Sequence, residues 1–267
     1  MPHVLSTLGA APHARPSLLL QALELPRACA EYGALLSTAG LLRLLPKGTG
    51  APVVVLPGFA GDDLSTAALR TVLRGLGHHV VGWGLGRNVG PTSSTLAGVD
   101  RLVRGLVDRH GVPVALVGWS LGGVFARRLA AARPEEVRRV VTLGSPYRLD
   151  DPAKTRAQWL YNRFEHLHDA AHEVRVGGPA SRPLRVASTS IYSYTDGVVP
   201  WGACREADTA LAESVAVPGS HNGLGHNPLA MCVVADRLAL PPGDHSRFAP
   251  PAALRHLFRV GGAPVNR

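Results

Sequence analysis

Cysteine is scarce in this chain: Cys29, Cys204 and Cys232 are the only three in 267 residues. An odd number, without C-x-x-C or any His/Cys ligand spacing, excludes a disulfide framework and a structural zinc motif. A single Cys204–Cys232 bridge stays open beside the plainer reading of buried free thiols. Lysine is nearly missing, present only as Lys47 and Lys154, and the arginines are scattered singly or in pairs. The net charge of +9 and pI of about 10.3 therefore come without a basic run or stripe. That argues against a nucleic-acid partner, while loose peripheral contact with an anionic membrane surface stays open. The excess of arginine, with abundant Ala, Gly and Pro, reads instead as the coding bias of a GC-rich genome. No apolar run reaches the length of a membrane span. The first residues lack a basic start, an apolar stretch and a small-residue cleavage site, and Pro12 and Pro16 interrupt them, so cytoplasmic residence is the expectation.

What is present is a core-forming chain. With 46% hydrophobic residues it can bury a full interior, and one domain over residues 1–267 is expected. Residues 1–15 are expected to be disordered. Ser17–Leu25 and Pro26–Leu45 read as two helices within an N-terminal extension (1–50), the second opened by a proline in its first turn; neither presents recognisable chemistry. Val53–Leu56 is a continuous apolar run of the kind buried on both faces of a sheet. Helix and strand then alternate: helix Ser65–Leu76, strand His79–Trp83, helix Thr95–Arg109, strand Pro113–Val117, helix Leu121–Arg133 and strand Val137–Leu143. Such alternation predicts an α/β fold with a doubly wound, mostly parallel sheet. Residues 150–180 depart from the pattern as a small helical cap insertion. There Leu160, Phe164, Leu167, Ala171 and Val174 share one helical face, which reads equally as a lid or as a core-facing stripe. Strands Arg185–Tyr194 and Ser214–Val217 and helix Pro228–Leu238 complete the sheet, and 241–267 wraps the surface with a short helix near Pro251–Phe258.

The chemistry centres on Gly118-Trp119-Ser120-Leu121-Gly122. An apolar strand runs into a serine flanked by glycines two positions either side, and a helix follows at once, which is the pattern of a nucleophile elbow. A serine hydroxyl needs an imidazole to take its proton and a carboxylate to hold that imidazole. On a doubly wound sheet these groups sit beyond the carboxyl ends of successive strands. Asp196 follows one late strand in an Asp-Gly turn, and His221 follows the next. His226, five residues on, is the competitor for the base, one loop further from the strand end. Two backbone amides must also face the oxyanion of a tetrahedral intermediate. Leu121, after the nucleophile, supplies one; Phe59 in the Gly-rich loop after Val53–Leu56 is chosen for the other, with Ala60 as the alternative.

Together, V-V-V-L-P-G-F at 53–59, G-W-S-L-G-G at 118–123, D-G-V-V-P at 196–200 and G-S-H at 219–221 resemble the α/β-hydrolase superfamily, and within it the bacterial lipase-like and esterase-like members. Trp83-Gly84-Leu85-Gly86-Arg87-Asn88 and His221-Asn-Gly-Leu-Gly look like features of a lipase-like subgroup; no physical role for Asn88 follows from the sequence. The resemblance implies serine ester hydrolysis through an acyl-enzyme with Ser120, Asp196 and His221 as triad, no cofactor or metal, and a small-molecule or lipid ester as partner. Lipases of secreted type usually carry an export signal, a disulfide or a calcium site, and the chain departs from them there, which puts extracellular fat digestion in doubt. The same triad also suits acyl transfer or thioester or amide cleavage, and a non-catalytic binding module on the same fold is the remaining alternative.

Overall fold

A computed structural model describes residues 11–168, 178–207 and 209–261. At the start of this span, Ser17 caps a short helix, α1 (Leu18–Ala22), by accepting from the Leu20 amide, and α2 (Glu24–Leu42) follows after one residue. The break thus falls at Leu23, ahead of the expected Pro26. Pro26 sits in the first turn of α2, where a missing N–H costs nothing. Residues 11–15, expected to be disordered, are tied down, since the Pro12 carbonyl accepts from the Gly202 amide at 2.7 Å. Residues 1–10 of that expectation lie outside the described residues.

The sheet is built from β1 (Pro52–Leu56), β2 (His79–Gly82), β3 (Val114–Trp119), β4 (Val137–Leu143), β5 (Ala187–Tyr192), β6 (Ala212–Ala216) and a two-residue β7 (Arg259–Val260). The strand order is β2-β1-β3-β4-β5-β6-β7. All neighbouring pairs are parallel except β6 and β7, an antiparallel edge that the sequence does not announce. Helices α3 (Ala67–Gly75), α4 (Ser93–His110), α5 (Leu121–Ala132) and α7 (Pro228–Ala239) connect and cover the strands. Their ends follow capping chemistry. Thr92 accepts from the Thr95 amide to open α4, Gly111 closes it at φ 67°, and Asn227 accepts from two amides ahead of α7.

Continuous apolar strands are explained by coverage on both faces. Val53 and Val55 pack with Leu69, Leu73, Val234 and Leu238 on one side. Val54 and Leu56 pack with Val99, Val103, Val124 and Phe125 on the other. Each such side chain taken fully from water stabilises the fold by about 1.5–3 kcal/mol. The cap insertion differs from expectation. Its helix α6 covers only Gln158–Arg163, followed by a 3-10 turn at Glu165–Leu167. Leu160 and Phe164 are half-buried and Leu167 is exposed, so the expected stripe is not part of the main core; Ala171 and Val174 lie outside the described residues. The segment near Pro251–Phe258 is a 3-10 helix, Ala252–Leu257.

The topology determines where chemistry can sit. Strand order reverses between β1 and β3, because β2 lies on one side of β1 and all later strands on the other. A crevice opens at the carboxyl ends of the strands flanking such a switch point. The loop after β1 and the turn after β3 both face it.

Candidate active site

Ser120 ends β3 and opens α5 with φ 52° and ψ −121°. Among the described residues only Ser120 and Ala60 combine a side chain with positive φ, a conformation that costs of order 1–3 kcal/mol and persists where the surroundings over-determine it. Those surroundings are tight. A Cβ on Gly118 would collide with the Gly123 backbone, and one on Gly122 with the Leu56 and Pro57 carbonyls. The glycines thus let α5 and the loop after β1 close on the strand end. The Ser120 amide donates to Leu143 O at 2.7 Å, and the Trp119 indole donates to His221 O at 3.0 Å.

The structure brings Ser120, Asp196 and His221 together. His221 Nε2 lies 3.0 Å from Ser120 Oγ, and His221 Nδ1 lies 2.7 Å from Asp196 Oδ2. Asp196 Oδ1 accepts from the Val198 and Val199 amides, both at 2.8 Å, which holds the carboxylate in one orientation. Both Asp196 and His221 are buried. Burial is the largest influence on the imidazole and opposes its protonation. The charge of Asp196, its hydrogen bond and the more distant charge of Glu24 outweigh it, so the His221 pKa lies above the ordinary histidine value. His226 is elsewhere engaged: its Nε2 bonds to Ala28 O at 2.9 Å and its ring packs edge-on against Tyr32.

The oxyanion candidates also separate. The Ala60 amide donates to Asn88 O at 2.7 Å and is thereby occupied. The Phe59 and Leu121 amides have no protein acceptor among the described residues. Gly58, beside Phe59, approaches so closely that a Cβ there would stand 3.2 Å from Ser120 Cβ. The Phe59 ring packs against Tyr161 of α6 at 5.4 Å and against Phe164 at 5.9 Å.

Two sets of positioning residues escape sequence reasoning. Asn88, fully buried, braces the loop after β1. Its Nδ2 donates to Pro57 O at 2.9 Å, its amide donates to Gly61 O at 2.7 Å, and its own carbonyl takes the Ala60 N–H. The second set lies on α2. Glu24 Oε1 accepts from the Gly197 amide at 2.7 Å and the His221 amide at 3.0 Å, and Oε2 accepts from Asn222 N at 2.9 Å. Arg27 donates to Thr195 O at 2.8 Å and to Gly219 O at 2.5 Å. Glu31 accepts from Ser220 N at 2.7 Å and Asn227 Nδ2 at 2.9 Å. The helix expected to carry no chemistry therefore clamps the Asp196 loop to the His221 loop. The i, i+3, i+7 spacing of Glu24, Arg27 and Glu31 is the one sequence signal of a shared polar face.

Among the described residues no cluster of three His, Cys, Asp or Glu side chains is arranged to hold a metal ion. The three cysteines are free; Cys204 and Cys232 are buried, whereas Cys29 is exposed. The Cys204–Cys232 bridge is absent.

Comparison with known proteins places the geometry in context. A family model described as the alpha/beta hydrolase fold matches residues 51–189. The chain is similar in structure to one described for the metagenome-derived lipolytic enzymes LipS and LipT, with TM-score 0.55 and 18% identity over 72% of this chain and 93% of the other. It is also similar to a monoacylglycerol lipase from Paleococcus ferrophilus, with TM-score 0.50 and 14% identity over 73% of this chain and 96% of the other. At such identities the likeness concerns the fold alone. No curated protein sequence matches the chain.

Proposed function

The chain belongs to the α/β-hydrolase family, and from that premise we propose that it is a serine carboxylic-ester hydrolase working through an acyl-enzyme on Ser120. The carrying observation is the unbroken chain of contacts from Ser120 Oγ to His221 Nε2 at 3.0 Å and from His221 Nδ1 to Asp196 at 2.7 Å. These side chains are 101 and 25 residues apart in sequence, and a structural role has no use for a hydroxyl held against an imidazole on a strained turn.

In this reading Ser120 Oγ attacks the acyl carbonyl while His221 Nε2 takes its proton. Negative charge moves to the carbonyl oxygen, which the Phe59 and Leu121 amides receive without reorganising. His221 then returns the proton to the leaving alcohol, and the acyl-serine forms. Water enters, gives its proton to His221 and releases the acid as Ser120 is restored. Asp196 holds Nδ1–H so that Nε2 presents its lone pair, and its charge stabilises the transient imidazolium.

The Phe59, Tyr161 and Phe164 rings beside the oxyanion loop favour an apolar acyl chain, in line with a lipid or a medium-to-long acyl ester. A lid role for the cap, cleavage of thioesters or amides and transfer to another acceptor are separated by substrate panel. A fluorophosphonate probe should label the wild-type protein, with the adduct mapping to Ser120 by mass spectrometry. p-Nitrophenyl esters should turn over faster than acyl-thioesters and anilides, with preference for longer chains. An unlabelled Ser120, or Ser120→Ala retaining turnover, overturns the enzymatic reading in favour of a binding module.

A further inference from the structure

We propose that the outer face of α1 and α2 is a docking surface for an anionic lipid bilayer, on which the two helices lie in the plane of the interface. Eight of the fourteen exposed large apolar side chains among the described residues fall between positions 18 and 44. Leu18, Leu19, Leu25, Leu36, Leu41 and Leu44 are between 61% and 80% exposed. Exposed apolar side chains concentrated in this way on one pair of helices mark an interaction site. The charges of α2 do not interrupt it, because Glu24, Arg27 and Glu31 all turn inward to the acid and base loops. The hydroxyls of Ser37 and Thr38 are spent on the Ala34 carbonyl.

The rim of this face decides the partner. Between residues 11 and 61 the only carboxylates are Glu24 and Glu31, and both point into the protein. Apart from the inward-turned Arg27, the remaining charged residues are cationic and stand at the two ends: Arg15 before α1, Arg43 and Lys47 after α2, all three exposed. An apolar centre with basic ends and no exposed acid within residues 11–61 matches the interfacial zone of an anionic bilayer, where leucines enter the acyl boundary and basic groups reach phosphate. No described helix is long and apolar enough to cross a membrane, and a polar inner face bound to the protein leaves α2 lying on the surface. The surface lies outside residues 51–189, the span matched by the family model, and its argument does not depend on the reaction assigned to Ser120.

The test is flotation of the full-length chain with vesicles of phosphatidylcholine, alone or with phosphatidylglycerol. The wild-type protein should float with the anionic vesicles. The double change Leu36→Glu and Leu41→Glu should abolish flotation. Arg43→Ala with Lys47→Ala should weaken it on the order of tenfold on anionic vesicles only. None of these side chains touches the loops of the active site, so hydrolysis of a short soluble ester and the thermal midpoint should be unchanged, which separates lost docking from lost folding. Three results overturn the proposal: no flotation of the wild type with anionic vesicles, flotation that survives the leucine changes, or a lipid-free dimer that those changes convert to monomer. The last would assign the face to a second copy of the chain.

Discussion

Two buried histidines sit at opposite ends of the sheet with opposite electrostatics. His78 precedes β2 at the amino end and is 5% exposed, while His221 follows β6 at the carboxyl end and is 4% exposed. Burial penalises the imidazolium in both. At His78 neither ring nitrogen has a partner among the described residues; burial and then the charge of Arg138 drive its pKa down to about 4. At His221 a carboxylate 2.7 Å away reverses the balance. Burial alone keeps a histidine neutral; a paired anion lets it become an imidazolium when a serine gives up its proton.

Losing the partnered ring should do the most damage. His221→Ala should lower kcat/KM by about a million-fold, the scale seen when a triad base is lost. His226→Ala should cost less than about tenfold, because the base must stand within hydrogen-bond reach of the nucleophile. Kinetics of the two variants on one soluble ester check both.

Removing the anion while keeping the ring comes next. Asp196→Asn should reduce kcat by about ten-thousand-fold. Asn Oδ1 can still accept from the Val198 and Val199 amides, so thermal unfolding should change little. His221 then lacks its charge partner and moves toward the condition of His78.

Glu24 gives a smaller and more diagnostic effect. Its carboxylate raises the His221 pKa and bonds to the His221 amide. In the wild type the neutral base forms as pH rises, so the acidic limb of kcat/KM should lie above the ordinary histidine value. Glu24→Gln should move that limb to lower pH and lower the plateau about tenfold, the cost of one charge-assisted hydrogen bond. A lower plateau with an unmoved limb would leave Glu24 a purely structural strut.

The remaining effect, expected at the amino end, falls on stability rather than on rate. The unfolded chain protonates His78 near pH 6.5 and the folded chain only near 4, so this residue costs stability as pH falls through that window. Because His78→Phe removes the linkage, urea unfolding at pH 7 and pH 4.5 should show less acid destabilisation than wild type, by on the order of 2 kcal/mol.

What could be read along the chain was whatever is locally encoded. The elbow was legible because Gly118, Ser120 and Gly122 must be spaced that way for a strand to turn into a helix. Asp196 and His221 were legible because strand ends on this sheet face one crevice. His226, placed one loop further from the strand end, was already the weaker choice of base, and in three dimensions Ala28 O holds its ring. Asn88 and Glu24 were hidden for a related reason: both act on backbone amides and carbonyls of other segments, and backbone groups leave no signature in residue identity. The shortness of α6 was equally unreadable, since an apolar stripe at helical spacing does not reveal whether a core exists for it to cover.

Composition, periodicity and local motifs pointed to an alternating α/β chain with apolar strands, a serine on a glycine-flanked turn, and Asp196 and His221 at the ends of successive strands. These are properties of neighbours within a few residues, where sterics and hydrophobic period dominate. Tertiary structure alone decided which amides stay free and how α2 ties the Asp196 loop to the His221 loop, and it carried to Ser120 the imidazole that strand-end position had favoured. Those outcomes depend on contacts between segments far apart in the chain, up to 198 residues for Glu24 and Asn222, and hydrogen bonds and desolvation act only once packing has closed that separation to a few ångströms.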